Sequence, residues 1–142
     1  MAEIVGKYVS NSSSFLDLGC GEITTLSHLV KRISGLASST RAIDISLSRL
    51  LCGLEYAKEH MGLGFQNLSV AAAELQHIPL AGKSIDVSIS NHALEPNGGD
   101  ERRILGEIFR VTRGLCILFE PNFEAASAVA QERMTSLGYV KT

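Results

Sequence analysis

Several features that would commit the chain to a particular class are missing. Its three cysteines, Cys20, Cys52 and Cys116, are far apart and form no CxxC pair, so neither a disulfide framework nor a metal site is suggested. All three read as small buried hydrophobes. No apolar run approaches the roughly 18 residues that span a bilayer, and the opening MAEIVGKYVSNSSS has no signal-peptide core. A cytoplasmic protein without a membrane association is the expectation. Thirteen Lys and Arg stand against fifteen Asp and Glu, giving a net charge of −2, and the basic residues are scattered, so a nucleic-acid partner is unsupported. Internal repeats, low-complexity stretches and linkers are also lacking, and 142 residues suit one domain spanning 1–142.

Present instead is a composition of 45% hydrophobic and 20% charged residues, close to that of ordinary globular domains. Short apolar runs alternate with longer amphipathic stretches, the pattern of strand–helix–strand units around a parallel sheet. The runs are Phe15–Leu18, Arg41–Ile45, Leu68–Ala71, Ile85–Ser90 and Leu115–Phe119. The last is the most continuously apolar and reads as a strand buried on both faces. Helices are expected at about Thr24–Ser34; after Ser46 or Ser48, with Leu50, Leu51, Leu54 and Ala57 on the apolar face; from Glu101 to Thr112; and from Glu124 to Leu137. In the third, Asp100 is a candidate cap, Ile104, Leu105, Ile108 and Phe109 should face inward, and Gly114 should end the element. Five strands and four helices make a three-layer α/β domain with an open, mostly parallel sheet.

Chemistry gathers first at Phe15-Leu16-Asp17-Leu18-Gly19-Cys20-Gly21-Glu22. Two glycines between strand and helix permit positive φ and let a ligand lie close against the backbone, although a tight turn with no ligand would use the same pair. Asp17 precedes them where dinucleotide-binding sites carry an apolar residue, and Thr24 occupies the place of the third glycine of GxGxxG. An acid and two glycines favour a ligand with a cationic portion over a pyrophosphate.

The segment Asp17-Leu18-Gly19-Cys20-Gly21 resembles the first motif of class I, Rossmann-like methyltransferases, in which the acid and glycines surround the amino-acid part of S-adenosyl-L-methionine. The resemblance runs over roughly residues 15–120. It implies that cofactor, a sheet ordered 3-2-1-4-5, and a shortened member of the family lacking most of the later strands. Asp44, ending the second strand, would accept hydrogen bonds from vicinal ribose hydroxyls, or alternatively would serve only the dipole of the next helix. Ile45 would offer an apolar face to the adenine. By the same resemblance Glu74 would reach the adenine amino group and Leu75 would pack near it. Asn91 falls at the carboxyl end of the fourth strand, where ligands collect in such sheets. Ile23 stands where many members carry another glycine and would narrow the approach to the methionine moiety.

Methyl transfer from a sulfonium requires positioning more than acid–base catalysis. The candidates for deprotonating an acceptor are His92 and Glu95. The leading reading is a methyltransferase acting on a small-molecule acceptor. An inactive cofactor-binding or scaffolding module of the same fold and a nicotinamide dehydrogenase are the alternatives. The apolar fifth strand lacks the lysine or proline that protects an edge, so it should be covered by a short strand from Tyr139-Val140-Lys141, by sequence of a longer parent or, most simply, by a second copy in a symmetric homodimer meeting through this edge or the last helix.

Overall fold

A computed structural model of the chain describes residues 1–11 and 13–139, with Ala37 described by its backbone alone. The elements run α1 (Ala2–Gly6), β1 (Phe15–Leu18), α2 (Thr24–Arg32), β2 (Thr40–Asp44), α3 (Leu47–His60), β3 (Leu68–Ala72), β4 (Ile85–Asn91), α4 (Glu101–Val111), β5 (Thr112–Phe119) and α5 (Ala128–Ser136). All strand pairs are parallel, in the order β3-β2-β1-β4-β5. The chain winds outward from β1 through β2 to β3, then returns to the other side of β1 as β4. The switch point between β1 and β4 is where such sheets open a crevice at their carboxyl ends.

Apolar spacing decides which helix covers which face. Leu26, Leu29 and Val30 of α2, with Leu50 and Ala57 of α3 and Val5 of α1, pack against Phe15, Ala42, Val87 and Ile89 on one side. On the other, Ile104, Ile108 and Val111, one i, i+4, i+7 line of α4, pack against Leu16, Leu18, Ile43 and Ile85. The sheet is therefore the middle of three layers. Burying each of these large side chains contributes about 1.5–3 kcal/mol before chain entropy is subtracted.

Several expectations needed correction. α1 is a fifth helix that the alternation did not reveal. Phe109 is 69% exposed, because it sits a further turn of about 100° beyond Ile108, off the line that α4 buries. Leu51 is exposed for the same reason beside Leu50 in α3. Gly114 does not end the helix: α4 passes directly into β5 at Thr112, and Gly114 lies within that strand against the Asp86 carbonyl. Nor is β5 buried on both faces, since Leu115 and Leu118 are 37% and 43% exposed and the strand pairs only with β4 among the described residues. The last helix starts at Ala128 rather than Glu124, where the Ser127 hydroxyl accepts from the Ala130 N–H. Cys20 is buried, but Cys116 is half-buried and Cys52 exposed. Of the short strand expected at Tyr139-Val140-Lys141, Val140 and Lys141 lie outside the described residues.

Candidate cofactor site

The carboxyl ends of β1, β2 and β4 bring together most of the residues singled out above. Asp17 occupies the interior of β1, with Ala42 of β2 and Ile89 of β4 as its register partners. Its strand is buried at every position, and Asp17 as a whole is only 2% exposed. Burial, and secondarily the negative charge of Asp44, push its pKa up to about 7. Among the described residues no group donates a hydrogen bond to it, yet it faces a small cavity of about 120 Å³ shared with Gly19, Gly21 and Asn91. The same burial, with Asp17 and Asp44 nearby, raises the Cys20 thiol, which suits a packing role rather than a nucleophile.

The turn after β1 is built on two left-handed glycines, Gly19 at φ +69° and Gly21 at φ +56°. Both amides of Gly19 and Cys20 donate to the Ile43 carbonyl, at 2.8 and 2.9 Å. A Cβ on Gly19 would collide with the Ala93 side chain, and one on Gly21 with the Arg49 guanidinium. The fold thus requires these glycines before any ligand enters. Ile23 also has φ +58°, which is costly for a β-branched residue, but its side chain is fully buried in the core on the α2–α3 side. Ile23 therefore does not narrow the crevice as expected; it lines neither cavity.

Asp44, 6% exposed, ends β2. Its Oδ2 accepts the Gly21 N–H and its Oδ1 the Ser46 N–H, both at 2.8 Å. The acid thus serves the approach to α3 and at the same time faces the crevice. A larger cavity of about 550 Å³ opens there, lined by Asp44, Ile45, Glu74, Leu75 and His92. Ile45 is 73% exposed, an apolar side chain held in the open beside the cavity, whereas Leu75 is buried. Glu74 is exposed, 3.8 Å from His77.

His92 follows β4 with φ +58°, a strained backbone that aims the ring at the larger cavity. Its Nδ1 lies 3.1 Å from Glu95 Oε2. An ionised carboxylate can only accept, so this contact takes the Nδ1–H proton, and whenever the ring holds no second proton Nε2 is free to accept one.

Sequence reasoning missed two residues. Arg49, in the first turn of α3, lines both cavities, and its Nε and Nη2 donate to Glu22 at 3.0 and 3.5 Å. Its place five residues after Asp44 was the available signal. Glu120, just past β5, accepts from Ser90 Oγ at 2.5 Å and from the amides of Ala93, Leu94 and Glu95 at 3.3 Å. An acid at the carboxyl end of the strand beside β4 was the corresponding signal.

A family model described as a methyltransferase domain matches residues 10–138. The chain belongs to this family. The match displaces the nicotinamide dehydrogenase alternative, and the sheet order is that of the Rossmann-like methyltransferase fold. Among solved structures, this methyltransferase-domain chain is similar to a SAM-dependent methyltransferase from Aquifex aeolicus, with TM-score 0.70, 19% identity, and coverage of 96% of this chain and 78% of that one. It is also similar to geranyl diphosphate C-methyltransferase from Streptomyces coelicolor A3(2), solved with Mg²⁺, geranyl diphosphate and S-adenosyl-L-homocysteine: TM-score 0.73, 14% identity, 99% and 54% covered. A provisionally assigned sarcosine dimethylglycine methyltransferase from Galdieria sulphuraria gives TM-score 0.69 and 24% identity over 81% of this chain and 41% of that one. These identities speak for the fold, and the chain spans between two fifths and about four fifths of the length of the three. Among the described residues no helix is long and apolar enough to cross a membrane.

Proposed function

We propose that the chain binds S-adenosyl-L-methionine across the two cavities and is a methyltransferase for a small-molecule acceptor. The observation that carries this reading is Asp17, a nearly fully buried carboxyl with no donor among the described residues, facing a cavity beside two left-handed glycines. An unpartnered buried carboxyl calls for a cationic group from outside, and the cofactor's ammonium is one. Gly19 and Gly21 keep the floor low beneath it. Asp44 retains acceptor capacity on each oxygen for ribose hydroxyls, Ile45 and Leu75 offer apolar surface to the adenine, and Glu74 stands ready for its amino group. Asn91 lines the smaller cavity and completes the cofactor set.

When bound, the cofactor supplies an electrophilic methyl group on a sulfonium. The chain's own residues then have to bind, align and manage one proton. His92 Nε2, with Nδ1 fixed by Glu95, is the group suited to receive a proton from an acceptor hydroxyl or amine. A small acceptor accords with a crevice of this size and with the absence of a basic stripe. No observation favours the inactive scaffold. The reading includes a cytoplasmic homodimer joined along the outer edge of β5.

Calorimetric titration with S-adenosylhomocysteine tests the cofactor assignment. Saturable binding that is lost in Asp17→Asn is expected. No heat at millimolar ligand would overturn the reading.

A further inference from the structure

The smaller cavity carries more charge than one ammonium needs. Three charged side chains line it: Asp17, Glu22 and Arg49. Glu22 and Arg49 neutralise each other through two hydrogen bonds, while Asp17 stands alone. The guanidinium also lies over Gly21, so close that a Cβ there would strike it, and it lines the larger cavity as well. Arg49 is thus the one cation at the junction of the two cavities among the described residues. Its ion pair with Glu22 is about half exposed on both sides, and pairs of that kind are weakly held and readily exchanged.

Resting on the cofactor reading above, we propose that Arg49 is a cofactor-binding residue that receives the α-carboxylate of the methionyl half. Asp17 and Arg49 then form a matched pair for a zwitterionic α-amino acid, one carboxylate for the ammonium and one planar guanidinium fork for the carboxylate. Glu22 serves as the resting partner that keeps the fork extended along the cavity mouth. No other cation lines the smaller cavity, so a ligand carboxylate entering it has no alternative partner of opposite charge among the described residues.

Three ligands separate this role from a structural one: S-adenosylhomocysteine, its decarboxylated analogue, and 5′-methylthioadenosine, which keeps the adenosine and sulfur and lacks the amino-acid part. The wild-type protein should bind the decarboxylated analogue about tenfold more weakly than S-adenosylhomocysteine, and Arg49→Met should abolish that difference while leaving methylthioadenosine affinity unchanged. Arg49→Lys, which keeps charge but not the fork, should fall between. Equal wild-type affinity for the two amino-acid-bearing ligands, or a parallel loss of all three ligands in both variants, overturns the assignment. Failure of the wild-type protein to bind any of the three would instead sink the cofactor reading on which it rests.

Discussion

The Asp44 carboxylate ties the end of β2 to the turn after β1 through the Gly21 N–H, 2.8 Å from Oδ2, while its other oxygen holds the Ser46 N–H. Asp44→Ala should therefore act twice. In the absence of ligand it leaves the buried Gly21 N–H without its acceptor, at a cost of about 1–3 kcal/mol, read by urea denaturation. Beyond that, S-adenosylhomocysteine binding should weaken by a further 1.5–3 kcal/mol if the ribose hydroxyls use the same carboxylate. A variant less stable but with unchanged affinity would confine Asp44 to holding the turn.

Asp17 predicts a distinctive pH dependence. Its folded-state pKa is raised to about 7 from 3.8, so the native protein holds a proton that the unfolded chain releases. The associated stability is fully present below the ordinary carboxyl value and is lost as pH rises toward 7, an effect of a few kcal/mol by linkage. Asp17→Asn should remove this slope between pH 4 and 7 and be the more stable protein at pH 8. Ligand affinity should run the other way in the wild type. A cationic group binds the ionised carboxylate, so S-adenosylhomocysteine should bind more tightly from pH 6 to 8 with proton release, visible as a dependence of the calorimetric heat on buffer ionisation. A flat profile in both measurements would show that Asp17 is ionised throughout.

The parts of the site legible in the sequence were those set by local spacing. Asp17, Gly19 and Gly21 sit on one strand–turn segment, and Asp44 ends the next strand, so alternation and motif order were enough to bring them to one edge. Arg49 and Glu120 escaped because their importance lies in contacts made across the fold, to Glu22 and to the loop at Ala93–Glu95. The misplaced details have similar origins. Gly114 has the composition of a helix stop, yet the β4–β5 ladder takes it, with its backbone against Asp86, and the register shifts there. Phe109 is apolar enough for the core, but the buried line of α4 is narrow and Ile104, Ile108 and Val111 fill it. Ile23 looked like an obstruction because its position was known and its side-chain direction was not.

Glu120 should govern the loop that carries His92 and Glu95. Its carboxylate gathers three successive amides, from Ala93 to Glu95, together with the Ser90 hydroxyl. Glu120→Ala leaves those donors to water or to nothing, so a stability loss of about 1–3 kcal/mol is expected. The telling measurement is hydrogen exchange. Protection at residues 93–95 should fall well beyond the global loss, while β1 and β2 keep theirs relative to it. Uniform loss across the sheet would make Glu120 an ordinary packing residue.

The fifth strand sets the last expectation. Its outer backbone edge pairs with nothing among the described residues, and Leu115 and Leu118 present apolar side chains there at 37% and 43% exposure. The charged residue of the strand, Arg113, is engaged with Asp86, so it offers little of the repulsion by which exposed edges usually discourage pairing. Two copies meeting along β5 in a twofold arrangement would satisfy both edges at once and extend the sheet beside Leu115 on one face and Leu118 on the other, giving each added cover. Sedimentation at micromolar concentration should then give twice the mass of the 15.3 kDa chain, and Leu118→Lys should return it to the monomer with the ligand-free fold intact. A clean monomer for the unaltered chain would remove the dimer from the proposal, and dimerisation that survives Leu118→Lys would move the interface away from β5.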